Sequence, residues 1–179
     1  MKKTVWTFGL ISGAILSVMM LITMPLHDQI GDNGEIVGYT TMVLAFLLIF
    51  FGVRSYRDQR GGSISFGRAF LVGVLITAVS AACYVATWEV LYHTVYPDYM
   101  EKYEARMIEK TRASGASQAA IDKQLADMKK MTDLYKSNLL FNLGVTFLEP
   151  LPVGLVMTLI TAGVLRTRKR KEEEALAVA

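Results

Sequence analysis

Cysteine is nearly missing from this 179-residue chain, which holds only Cys83. A single thiol excludes an internal disulfide framework and any cysteine-rich zinc site. Histidine is scarce as well, with two residues in all, so little is available for histidine-based metal chemistry. Charge of one sign is not accumulated: the net charge is +3 and confined to short segments, which does not fit a nucleic-acid surface. No phosphate-cradling G-x-x-x-x-G-K-[ST], H-E-x-x-H, G-x-S-x-G or C-x-x-C occurs, so no recognised enzyme template applies and no cofactor is implied.

Apolar residues are abundant. They make up 53% of the chain and mean hydropathy is +0.35. They fall into four blocks, about 4–26, 36–53, 69–96 and 139–165. At ~1.5 Å rise per residue, about 20 apolar residues cover a ~30 Å hydrocarbon core. The blocks are continuous rather than alternating, and backbone polar groups in lipid must be satisfied internally, so helices are favoured over barrel strands. The expected fold is all-α, a four-transmembrane-helix bundle forming a single integral membrane domain over 1–179. Lys2 and Lys3 precede the first block, as in a signal peptide. Its apolar core is too long for one, and no small-x-small site surrounds Met24-Pro25-Leu26-His27, so it reads as a span.

Orientation follows from the short cationic segments. Lys2 and Lys3 precede span one, Arg54, Arg57, Arg60 and Arg68 follow span two, and Arg166, Arg168, Lys169, Arg170 and Lys171 follow span four. The loop between spans one and two has Asp28, Asp32 and Glu35 and no Lys or Arg. The positive-inside bias puts both termini in the cytoplasm. The long connection from Pro97 to Asn138 carries eight basic and seven acidic residues, but long segments cross largely regardless of charge. The cationic C-terminal run reads as a topology anchor and as a contact for anionic membrane lipids. Trp6, Tyr39, Tyr56, Trp88, Tyr92 and Tyr96 sit near span ends, as interfacial aromatic belts do.

Lipid provides no hydrophobic drive between helices, so close contact depends on small residues. Gly9, Gly13 and Ser17 recur at four-residue spacing in span one, Gly73, Thr77 and Ala81 in span three, and Gly154, Thr158 and Ala162 in span four. Such stripes serve packing within the chain or a homo-oligomer. Between spans three and four, Tyr99, Tyr103 and Met107 share one face with Met100 and Ile108 beside it, and charged residues fill the rest. Gly115 suits a helix C-cap and Ser117 the next N-cap. Ile121, Leu125 and Met128 mark the apolar face of a second helix. An extracytoplasmic helical hairpin over about 97–135 is expected. Its apolar stripes bury against each other over the bundle, lie on the outer leaflet, or bind a partner protein.

Several phrases carry a family resemblance: Gly61-Gly62-Ser63-Ile64-Ser65-Phe66-Gly67 entering span three, Tyr96-Pro97-Asp98-Tyr99-Met100-Glu101-Lys102-Tyr103 after it, Ser114-Gly115-Ala116-Ser117, and Thr146-Phe147-Leu148-Glu149-Pro150-Leu151-Pro152-Val153-Gly154 in span four. In order and layout the chain resembles the DUF4199 family over nearly its whole length. The resemblance implies a bacterial membrane protein of unknown function and transfers no active-site residue; with the four spans, the bacterial inner membrane is the expected location.

Glu149 and Glu89 most need explaining, because a charge at a helix centre costs about 2.5–3.5 kcal/mol on insertion scales. Glu149 lies 17 residues before Arg166, and Glu89 lies 21 after Arg68. These are similar depths in the outer half, and His93 is one turn beyond Glu89. One reading is a shared proton- or cation-binding site of Glu149, Glu89 and His93. The other is structural: Glu89 reaches headgroup water, while a protonated Glu149, Asn142 or Thr146 donates to carbonyls freed by the helix-breaking Pro150 and Pro152. The leading functional reading is a non-enzymatic structural or interaction module using the hairpin. The second is a small transporter or channel subunit using Glu149 with Glu89, and the third a membrane enzyme acting on lipid. A cysteine placed at Gly115 should react with an impermeant maleimide added outside intact cells; protection from the reagent would reverse the expected topology.

Overall fold

A computed structural model describes residues 1–26 and 34–167 of the chain. Asp28, Asp32, the side chain of Glu35 and the run Arg168, Lys169, Arg170 and Lys171 lie outside the described residues. The described residues form seven helices and no strand: α1 Lys2–Thr23, α2 Gly34–Asp58, α3 Phe66–Thr94, α4 Tyr99–Ala113, α5 Gln118–Ser137, α6 Leu139–Leu148 and α7 Leu151–Leu165. Four helical segments are long and apolar enough to cross a membrane: Lys2–Thr23, Ile36–Asp58, Phe66–Thr94 and Leu139–Leu165, the last interrupted at Glu149 and Pro150. Their outward residues are apolar, including Leu10, Val18, Leu44, Phe51, Leu71, Val156 and Val164. In water such a surface would be unsupportable; in lipid it is the expected one.

The second helix runs past the end of its apolar block at Val53. Arg54 and Asp58 pair one turn apart at 3.8 Å, and Gln59 bonds Ser55 at 3.1 Å, so local side-chain pairs carry the helix beyond its apolar stretch. Gly61 and Gly62, at φ 77° and 80°, then make the turn toward α3. Both conformations are left-handed, which only glycine adopts without strain.

The chain divides into two compact units, Met1–Cys83 with the segment from Pro150 onward, and Tyr84–Glu149. In the first, α1, α2, α7 and the first five turns of α3 pack around Ala45, Phe46, Ile49, Val53, Val72 and Ile76, all fully buried. Small residues set the approach. A Cβ on Gly13 would sit 2.6 Å from Cys83 Cβ, and one on Gly9 2.7 Å from Val79. The α3–α7 contact is reciprocal: Gly73 faces Thr158, whose Cγ2 would lie 2.6 Å from an added Cβ, and Gly154 faces Thr77. Each threonine fills the notch left by the other helix's glycine. Hydroxyls secure other contacts across the unit. Ser12 Oγ donates to Ala45 O at 3.0 Å, and Ser80 Oγ to Gly9 O at 3.1 Å. Ile64 and Thr167 exchange two bonds, Ile64 N–H to Thr167 Oγ1 at 3.0 Å and Thr167 N–H to Ile64 O at 2.9 Å.

In the second unit, α4 and α5 form the hairpin. Ser114 ends α4, Gly115 turns at φ 76°, and the Ser117 side chain caps α5 by accepting from Ala120 N–H at 3.3 Å. Its seam departs from the expected stripe. Ile108 and Ile121 are buried, but Leu125 is 42% exposed, and the inward positions on α5 are Ile121, Gln124, Met128, Thr132 and Tyr135. The polar pair Thr111–Gln124, at 2.6 Å, explains the difference, because it brings Gln124 rather than Leu125 into the seam. Asn138 ends α5 and caps α6 by accepting from Phe141 N–H at 3.1 Å.

Replacing Gly154 with Ala should drive a methyl into Thr77 and lower stability by about 1–3 kcal/mol. Gly163→Ala, in the same helix but with nothing within 4 Å of the new atom, should leave the melting temperature in detergent nearly unchanged. Equal melting temperatures for the two variants would refute the interlock.

Candidate functional site

The polar side chains that matter chemically gather in the unit Tyr84–Glu149. On α3, Tyr84, Trp88 and Tyr92 recur every four residues and share a face. Trp88 stacks on Tyr92 with ring centres 5.8 Å apart and meets Tyr99 edge-on at 4.8 Å; Tyr92 meets Tyr135 edge-on at 5.5 Å. Edge-to-face pairs of this kind each add about 0.5–1.5 kcal/mol beyond the area they bury.

A hydrogen-bond chain threads the rings. Trp88 Nε1–H donates to Tyr135 Oη at 2.6 Å, Tyr135 Oη lies 2.9 Å from Thr146 Oγ1, and Thr146 Oγ1 reaches Asn142 Oδ1 at 3.5 Å. An indole can only donate. With the Thr146 proton turned to Asn142, the Tyr135 hydroxyl donates in its turn, so the chain runs one way from Trp88 to Asn142. Burial pushes the Tyr135 phenol above its ordinary range, while the bonds with Thr146 and Trp88 pull the other way. The phenol therefore keeps the proton that the chain requires at neutral pH. At the base of the hairpin, Lys136 pairs with Glu101. That bond holds the Glu101 carboxyl below its usual range and the Lys136 ammonium above its own.

The carboxyls in the apolar segments have separate partners. Glu149, on an exposed position between α6 and α7, accepts from Tyr84 Oη at 2.9 Å. Glu89 Oε2 lies 3.3 Å from His93 Nε2, with His93 63% exposed and Glu89 17% exposed. Glu89 Oε1 is buried without a hydrogen-bond partner. Five residues separate Tyr84 from Glu89, which is about 140° around a helix, so the two carboxyls engage different faces of α3. Among the described residues no group of three His, Cys, Asp or Glu is placed to hold a metal ion.

Two expectations change at this point. Trp88 and Tyr92 are 8% and 5% exposed, so they pack inside the protein instead of forming a belt; Tyr56, at 3%, is also buried, under the Arg60 guanidinium 5.0 Å from its ring. Trp6 and Tyr39, by contrast, are more than half exposed, as belt residues are. Thr146 bonds Tyr135 and Asn142, and Glu149 accepts from Tyr84, so the bonds of these side chains run to other side chains and not to carbonyls near the prolines. Tyr135, the centre of the network, falls outside every apolar block, so hydropathy does not single it out. The signal was present as aromatic density, since Trp88, Tyr92, Tyr99, Tyr103 and Tyr135 flank the same connection.

The hairpin also carries an open groove of about 520 Å³. Met100, Tyr103 and Met107 line it from α4, and Met128 and Met131 from α5, with Lys123 and Asp127 on its rim. Met131 is half exposed, and the other three methionines are partly exposed.

Four apolar helical segments of membrane-crossing length, with a polar helical hairpin between the third and fourth, define a polytopic α-helical membrane protein. The family model for proteins of unknown function DUF4199 matches residues 7–167. The chain belongs to the DUF4199 family. No curated protein and no solved structure matches it.

Tyr135→Phe removes the hydroxyl that serves Trp88 and Thr146 together. Leaving those two buried groups without it should cost about 1–3 kcal/mol, read as a lower melting temperature together with a changed Trp88 emission in a Trp6→Phe background. An unchanged emission and melting temperature would remove the network from the stability of this unit.

Proposed function

We propose that this protein is a non-enzymatic interaction module of the bacterial inner membrane, anchored by its four spans and making contact through an extracytoplasmic hairpin. Both termini lie in the cytoplasm, in keeping with the cationic short segments around Lys2, Arg54 to Arg68 and Arg166. The observation that carries the reading is the groove between α4 and α5. A helical pair packed only for its own stability would close its apolar seam, whereas here methionines remain partly open to the surroundings. Flexible, polarizable thioethers suit a surface that must adapt to what it receives.

A second reading is favoured by one specific observation, the unpartnered buried Oε1 of Glu89. An intramembrane carboxyl with a vacant acceptor beside His93 suits a proton or cation, and Glu149 with its Tyr84 bond would be a further station in a small transporter or channel subunit.

One pair of variants separates the two readings. A photo-crosslinking residue at Met131 should give a discrete adduct in cells, abolished by Lys123→Glu with Asp127→Lys at the groove rim and unaffected by Glu149→Gln. Absence of any adduct at Met131, together with loss of an ion-dependent flux in Glu149→Gln, would replace the module reading with the transport one.

A further inference from the structure

The groove holds four of the chain's ten methionines. Methionine is ordinarily a gap-filler of closed cores, and two in this protein behave so: Met20 and Met42 are 7% and 5% exposed. None of the four in the groove is fully buried, and Met131 is 50% exposed.

Their register across the hairpin follows from three side-chain bonds. Thr111 pairs with Gln124, Glu104 with Thr132 and Glu101 with Lys136. In an antiparallel pair this places Met107 level with Met128. Met131 comes one turn further along α5, about 4.5 Å on. Met100 is seven residues from Met107, about 10.5 Å along α4, and so stands at the far end of the groove. Gln124 Nε2 lies 4.0 Å from Met128 Sδ, which puts that sulfur beside the seam. Met107, Met128 and Met131, from two helices, thus line one open space.

Thioether sulfur is a soft, neutral donor. It selects soft monovalent d¹⁰ cations over zinc, magnesium or calcium, which take imidazole, thiolate or oxygen ligands. The groove has no histidine or cysteine among its lining residues; of its oxygen donors only Asp127 is a carboxylate, and Gln124 and Thr132 are bonded to Thr111 and Glu104. Lys123 and Asp127, one turn apart on α5, are the only charged side chains lining the groove, and the nearby Glu104 carboxylate is engaged by Thr132, so no cluster of carboxylates is there to hold a multiply charged ion.

We propose that Met107, Met128 and Met131 form a binding site for a soft monovalent cation of the Cu(I) class, open to solvent along the hairpin groove. The inference deepens the reading of the hairpin as the contact-making part of the protein and rests on it for the groove's role. The four spans serve as the anchor.

The test uses the 179-residue chain in detergent with Cys83 replaced by Ser, which removes its one competing thiol, and Ag(I) as a redox-inert probe. With [¹³C-methyl]methionine labelling, Ag(I) should shift the methyl signals of Met107, Met128 and Met131 and leave Met20 and Met42 in place. Exchange of the three for Leu should weaken Ag(I) binding by calorimetry at least about tenfold, and Zn(II) should move none of the three signals. Should the triple variant fail to fold, Met131→Leu alone, at a half-exposed position, should still weaken binding. Ag(I) affinity that is unchanged in either folded variant, or methyl signals of the three that stay still, would overturn the site. That failure would leave the cellular adduct at Met131 intact, whereas absence of the adduct with retained Ag(I) binding would count against the module reading alone.

Discussion

Close approach without hydrophobic drive is the constraint on which this fold depends. Lipid tails are as apolar as the side chains they meet, so helices in a bilayer associate only as well as their surfaces interlock. The exchange of Gly73 and Thr77 on α3 for Thr158 and Gly154 on α7 answers that requirement with two notches and two pegs. Gly9 and Gly13 do the same for α1 against α3. Hydroxyl bonds such as Ser12 to Ala45 and Ser80 to Gly9 then add direction to contacts that dispersion alone leaves slippery.

The unit Tyr84–Glu149 is stabilised by different means. Its rings pack at angles, and its buried polar atoms are threaded into a chain from Trp88 through Tyr135 and Thr146 to Asn142. A buried network rigidifies when every member is satisfied and becomes a liability when one is not. Against this background Glu89 stands out: one oxygen faces His93 and the other has no partner. The groove methionines stand out in the same way, as apolar groups that their own hairpin does not fully enclose.

Much of the architecture was legible in the sequence, because the length and continuity of apolar blocks translate directly into membrane-crossing helices. The hairpin was legible too, since Gly115 and Ser117 carry local conformational rules that tertiary contacts do not override. What could not be read was the identity of partners across space. Trp88 and Tyr92 have the composition and placement of an interfacial belt, and only the distant Tyr135 turns them inward. Leu125 obeys the apolar period, yet the pair Thr111–Gln124 rotates the seam past it. Likewise, nothing in the spacing of Glu149 specifies a phenol 65 residues earlier as its donor.

The two-way clasp between Ile64 and Thr167 joins the loop leading into α3 to the residue beyond the end of α7, 103 positions away in the chain. A lone helix meets a thicker or thinner bilayer by tilting on its own. Here the start of one helix is pinned to the end of the other, and the pair interlocks again a few turns further along at Gly73–Thr158 and Thr77–Gly154, so neither can slide lengthwise past its neighbour. A change in bilayer thickness would therefore be met by these two helices leaning as one rigid plank.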